Sequence, residues 1–143
     1  MRKLQNKTRV GVPQEVVRQA MFIRRSIQGC TGNCARASFR LYKWCIDAGY
    51  RAHFVVGVWD YDCNGAEMAS ATFLNHAWVA LDGWIIDITA GQFTDEYGVA
   101  VLQQSKAPQY TPFLSDKRAL ANVYKKWPKR EQPSGIAQLL AKA

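Results

Sequence analysis

The dipeptide Asp82-Gly83 stands between two short apolar runs, His76 to Leu81 and Trp84 to Ile88, and it constrains the fold more than any other feature of the chain. Two-residue hairpin loops that need positive φ at both central positions favour Asp-Gly, so the runs are predicted to be antiparallel strands closed by that turn. The register then follows. Leu81 opposes Trp84, Ala80 opposes Ile85, Trp78 opposes Asp87 and His76 opposes Thr89. Because side chains alternate between faces, His76, Trp78 and Asp87 fall on one face, with His76 and Asp87 as diagonal neighbours whose backbones lie roughly 7–8 Å apart. A slip of one residue would send the imidazole and the carboxylate to opposite faces.

Upstream of the hairpin the period changes from two to 3.6. Val16, Val17, Ala20, Met21 and Ile23 recur at helical spacing after Pro13, which predicts a helix from Pro13 to about Arg25. Gly29, Thr31, Gly32 and Asn33 read as a loop. From Cys34, the residues Ala37, Ser38, Leu41, Cys45 and Ala48 form a second helical stripe that stops at Gly49. Arg51 to Trp59 reads as a strand with Ala52, Phe54, Val56 and Val58 on one face, and Asp60 to Ser70 as a polar loop. Val99 to Gln103 is expected to be an edge strand, Ser115 to Lys126 a surface helix and Gly135 to Ala143 an amphipathic end. Helices followed by consecutive antiparallel strands predict an α+β domain in which N-terminal helices pack on a small antiparallel sheet.

Length and composition agree with one domain over 1–143, with a basic tail at 1–10 and a peripheral segment at 127–143. A chain of 143 residues with 48% hydrophobic residues, five Trp, six Tyr and six Phe can bury a core and is too apolar for disorder. No run reaches the roughly 20 apolar residues of a membrane span. Met1-Arg2-Lys3-Leu4-Gln5-Asn6-Lys7 also lacks an apolar signal core, so a cytoplasmic protein is expected, in the host cytoplasm if the gene is viral. Disulfides are not expected there, and the spacing of Cys30, Cys34, Cys45 and Cys63 lacks the paired gaps of a structural zinc site. Neither a metal nor a cofactor is therefore expected.

The chemistry-bearing residues are a thiol, an imidazole and a carboxylate: Cys34, His76 and Asp87. A free thiol is only a few per cent thiolate at neutral pH. Cys34 in the first turn of a helix would sit among unpaired amides at the positive end of the helix dipole, and a protonated His76 would lower its pKa further. Asp87 could hold one imidazole nitrogen while the other meets the thiol. The Cys34 amide and the Gln28 side chain, six residues upstream, are expected donors to an oxyanion. Trp78, facing the same side as His76, is the candidate substrate wall.

Gln28-Gly29-Cys30-Thr31-Gly32-Asn33-Cys34 resembles the active-site approach of papain-like peptidases, where a glutamine six residues before the nucleophile supports the oxyanion hole. The remainder is similar to the transglutaminase-like superfamily, including bacterial core domains and the leader peptidases of lasso-peptide biosynthesis. Three matches carry that likeness: a helix from Cys34 to Gly49, a strand ending Val56-Gly57, then His76-Ala77-Trp78 and Asp87-Ile88-Thr89 on successive strands. The resemblance spans about Gln28 to Phe93. It implies a papain-like fold with Cys34 as nucleophile, His76 as base and Asp87 as orienting acid. The reaction it implies is acyl transfer on protein or peptide amides, by a peptidase, amidase, deamidase or transglutaminase; Gln28, where transglutaminases often use an aromatic residue, tilts towards hydrolysis.

Other residues have competing readings. Cys45 lies three turns along the helix and reads as core, Cys63 as incidental, and Cys30 as a candidate resolving thiol. His53 is the rival imidazole, with no carboxylate partner evident in its strand, and Asn75 and Gln92 are alternative polar supports. The net charge of +8 comes largely from the two ends. The alternative function is therefore a catalytically inactive basic module that binds an acidic protein or nucleic acid.

Overall fold

The computed structural model describes residues 11–27, 29, 33–92, 98–133 and 135–141. The tail at 1–10, Gln28 and Cys30 lie outside that set, as does the side chain of Gln92. Among the described residues the chain is an α+β assembly of five helices and one five-stranded antiparallel sheet. In chain order these are α1 (Gln14–Ser26), α2 (Cys34–Asp47), β1 (Ala52–Trp59), α3 (Gly65–Met68), β2 (His76–Leu81), β3 (Trp84–Asp87), β4 (Ala100–Gln103), β5 (Tyr110–Ser115), α4 (Asp116–Tyr124) and α5 (Ile136–Ala141). The strand order is β4-β3-β2-β1-β5.

The two N-terminal helices form where the apolar stripes predict. α1 buries Val16, Val17, Ala20 and Ile23, and α2 buries Ala37, Ser38, Phe39, Leu41, Tyr42 and Cys45. Both stripes meet the face of the sheet that carries Phe54, Val56, Ala77, Val79 and Ile86, in one continuous core. The opposite face is covered by the chain's own approach to β5, where Ala107 and Tyr110 close over Val55, Trp78 and Ile85. The sheet is thus buried on both sides, which is why β2 and β3 are almost wholly apolar and do not alternate with polar residues.

The hairpin register is the one the Asp-Gly turn requires. Leu81 pairs with Trp84, Ala80 with Ile85 and Val79 with Ile86, around Asp82 at φ 51° and Gly83 at φ 80°. β4 forms the expected edge beside β3. β5 is a strand that the sequence reading lacks. Pro112 sits within it because β5 is an edge, where a missing backbone donor is tolerated. The expected surface helix therefore begins one residue later, at Asp116, and the expected loop after Trp59 contains α3.

Gly57 is needed for close approach. A Cβ there would lie 2.0 Å from the Thr111 carbonyl oxygen and 2.9 Å from the Trp78 ring, so only glycine lets β5 and the indole close on β1 together. At the C-terminus, Ile136 of α5 is only 1% exposed, which seats part of the segment expected to be peripheral into the core. No helix among the described residues is long and apolar enough to cross a membrane, and none of their His, Cys, Asp and Glu side chains forms a group of three that could hold a metal ion.

Candidate active site

Three elements meet at one end of the sheet. Cys34 is the first residue of α2, His76 the first of β2 and Asp87 the last of β3. His76 Nε2 lies 2.7 Å from Asp87 Oδ2, with both side chains fully buried. The Cys34 thiol hydrogen-bonds the same imidazole and also accepts from the Ala77 backbone N–H. Because Nε2 faces the carboxylate, Nδ1 is the ring nitrogen left for the sulfur. The structure thus brings Cys34, His76 and Asp87 into one hydrogen-bonded chain, as the hairpin register and the helix start require.

The start of α2 is arranged to favour negative charge. Asn33 occupies the capping position but makes no cap to the helix amides. Its side chain turns away, with Nδ2 donating to the Gly29 carbonyl at 3.2 Å and Oδ1 accepting from Arg36 at 3.0 Å. No acidic residue lies in the first turn. The cap thus supplies no side-chain acceptor to the N–H groups of that turn, and the dipole of a 14-residue helix adds to their partial positive charge. Ser38, one turn on and fully buried, donates to the Ala77 carbonyl at 3.2 Å and pins the helix to the strand beside His76. Ala77 is held at both backbone groups, its carbonyl by Ser38 and its N–H by the thiol.

These contacts set the charge state. Burial alone would push the Cys34 thiol up, but the hydrogen bond from His76, the imidazolium charge and the Ala77 N–H together carry it below its ordinary value, with Asp87 pulling the other way. Burial likewise pushes His76 down, and the Asp87 charge and hydrogen bond, helped by Cys34, raise it to about 9. The two shifts have opposite sign and a common origin, which favours a thiolate–imidazolium pair near neutral pH. Cys45 behaves as the core residue expected: it is fully buried, and burial alone raises its thiol to about 11.

Asp87 accepts three hydrogen bonds. Besides His76, the Thr89 N–H donates to Oδ1 at 3.0 Å and the Tyr110 hydroxyl to Oδ2 at 2.7 Å. These donors satisfy the oxygens of a carboxylate buried between Ile86 and Ile88, where unpartnered polar atoms would be costly. Tyr110 is the site residue that sequence reasoning missed, because it belongs to β5, and its neighbours Pro112 and Gln109 carry no strand signal. Trp78 is a correction. It faces the same side as His76 but is completely buried, packed edge-on against Tyr110 at 5.1 Å and tilted over His76 at 5.9 Å. It backs the imidazole and the tyrosine and offers no surface for a substrate wall.

The remaining candidates are also placed. His53 does have a carboxylate partner, since Asp116 reaches it at 2.8 Å from 63 residues away and also accepts from the Phe54 N–H at 3.2 Å. Both His53 and Asp116 are solvent-exposed, which makes them a surface clasp between β1 and α4. Asn75 holds the strand approach: its amide donates to the Trp59 carbonyl at 3.0 Å and accepts from the Trp59 N–H at 2.8 Å. Cys63 is exposed at φ 62°, and the expected roles of Gln28 and Cys30 fall outside the described residues. No family model, no curated protein and no solved structure matches the chain, so its family is not identified by comparison.

Proposed function

We propose that the chain is a cysteine-dependent acyl-transfer enzyme acting on protein or peptide amides, with Cys34 as nucleophile, His76 as acid and base, and Asp87 as the group that orients and charges the imidazole. The observation that carries the reading is a half-buried thiol interacting with a buried imidazole whose other side is held at 2.7 Å by a buried, triply donated carboxylate. A helix opening on the nucleophile, packed on an antiparallel sheet whose neighbouring strands carry the other two groups, also fits a papain-like or transglutaminase-like arrangement.

In this reading the Cys34 thiolate attacks an amide carbon, and the oxyanion is met by the uncapped amides at the start of α2. His76 passes its Nδ1 proton to the leaving amine, which departs and leaves a thioester on Cys34. Neutral His76 then takes a proton from water or an incoming amine as that group attacks the thioester, and Cys34 leaves as the thiolate, which restores the thiolate–imidazolium pair. Water gives cleavage or deamidation, and an amine gives transfer.

Intact-mass measurement of candidate protein substrates, after incubation with wild type and with Cys34→Ala, tests the proposal. Fragments identify a peptidase, a gain of about one dalton a deamidase, and crosslinked adducts a transferase, all from the shared acyl-enzyme step. Equal slow alkylation of Cys34 and Cys45 by iodoacetamide near pH 6.5 would remove the enzyme reading. The cations of α4 and the segment after it favour a second reading, a basic binding module. Its mark is binding that survives Cys34→Ala and collapses with added salt.

A further inference from the structure

Beside β5 lies a groove of about 390 Å³ that the proposed chemistry does not use. One wall is the outward stripe of α4 and its C-cap, where Arg118, Asn122 and the capping Lys125 recur at helical spacing, and the other is Phe113 and Leu114 of β5 with Ala71. The opposite stripe of α4, Ala119, Leu120 and Val123, is buried, so the cationic stripe is the one turned outward. β5 ends the strand order, and among the described residues no strand pairs with its outer edge.

Two features give the groove an occupant. Its lining includes apolar surface that folding leaves exposed: Phe113 of β5 is 43% exposed and Leu114 half-buried, with Ala71 of the β1–β2 connection beside them. The charge is one-sided. From Asp116 to Arg130 the chain carries Lys117, Arg118, Lys125, Lys126, Lys129 and Arg130 against the single acid Asp116, which is already engaged by His53. Arg118 and Lys125 are seven residues apart, about 10 Å along the helix, within reach of carboxylates two to four residues apart on one face of an extended strand, about 7–13 Å.

We propose that this groove docks an extended peptide segment in which acidic and apolar residues alternate, as the part of the substrate remote from the bond that Cys34 attacks; in this form it rests on the acyl-transfer reading above. A strand of that composition sets carboxylates against Arg118 and Lys125 and apolar side chains against Phe113, Leu114 and Ala71, alongside the outer edge of β5, with which no described strand pairs. A nucleic acid gains its affinity from phosphate contacts and little from such an apolar floor. The groove is also joined to the candidate active site by the chain itself. β5 begins at Tyr110, which donates to Asp87, and the β1–β2 connection leads directly into His76.

The test is fluorescence anisotropy on the Cys34→Ala protein, with a fluorescein-labelled decapeptide of alternating aspartate and leucine, a lysine–leucine decapeptide and an oligodeoxythymidylate. The aspartate peptide is expected to bind tightest. Arg118→Glu with Lys125→Glu is expected to weaken it at least about tenfold and Phe113→Ser to weaken it at any salt concentration, as a charged and an apolar contact should. The proposal is overturned if the two peptides bind alike, if these substitutions leave binding unchanged, or if the oligonucleotide binds tightest. Alkylation of Cys34 in the same groove variants, made in the wild-type background, reports that they remain folded. Should Cys34 of the otherwise unaltered protein alkylate no faster than Cys45 while the aspartate peptide still binds in the groove, the acyl-transfer reading fails and the docking site stands.

Discussion

Replacing Asp87 with asparagine keeps the shape of the side chain and removes the charge that lifts His76. With Asp87 present, His76 stays protonated up to about 9, and the Cys34 thiolate persists down to its depressed pKa, so the ion pair occupies the window between. At pH 7 an ordinary thiol with a pKa near 8.5 is about 3% thiolate, and a mostly formed ion pair raises that roughly thirtyfold. Thiolates of lower pKa are weaker nucleophiles by a factor of several, which leaves a net gain of about five- to tenfold over a free thiol. In Asp87→Asn the buried imidazole is expected at or below its ordinary 6.5, so at least about three quarters of it is neutral at pH 7 and the thiol loses its counter-ion. Burial of Cys34 then acts unopposed and pushes the thiol up.

The assay is the pH dependence of iodoacetamide labelling of Cys34, read by mass spectrometry in a Cys30→Ser, Cys63→Ser background, with buried Cys45 as the internal comparison. The wild-type rate is expected to rise at a pH below that of a free thiol, hold a plateau through neutrality and change again near 9 as His76 deprotonates. Asp87→Asn is expected to lose the plateau and to label at pH 7 no faster than a free thiol. A wild-type profile with a single rise near 8.5, or an unchanged profile in Asp87→Asn, would refute the ion-pair argument.

Other substitutions probe the scaffold around that pair. Tyr110→Phe removes one of three donors to Asp87 and is expected to lower stability by about 1.5–3 kcal/mol in urea unfolding, while keeping faster Cys34 labelling than Asp87→Asn. Gly57→Ala forces a methyl to within 2.0 Å of the Thr111 carbonyl and is expected to cost about 1–3 kcal/mol, seen as a lower urea midpoint. Asn75→Ala gives up both contacts with the Trp59 backbone and is expected to cost about 1–2 kcal/mol and to speed hydrogen exchange at the Trp59 amide.

What could be read before the fold was seen was whatever a local rule fixes. The Asp82-Gly83 turn sets the hairpin register, the register places His76 beside Asp87, and the helical stripe after Cys34 places the sulfur at a helix start. Contacts between segments distant in sequence were not legible. Tyr110 reaches Asp87 from a strand 23 residues further on, and Asp116 finds His53 across 63 residues. Trp78 was assigned to the correct face, but alternation says only which way a side chain points. It does not say that the chain's approach to β5 will cover it.

The clamp between Ser38 and Ala77 makes the reactivity of Cys34 a gauge of tertiary structure. The imidazole and carboxylate share one hairpin and can keep company in a partly folded chain, whereas the sulfur arrives only when α2 seats against β2. Heating or mild denaturant that loosens this seating would therefore silence Cys34 while the β-ribbon and the helix are still intact by circular dichroism, so that reactivity fails before secondary structure melts.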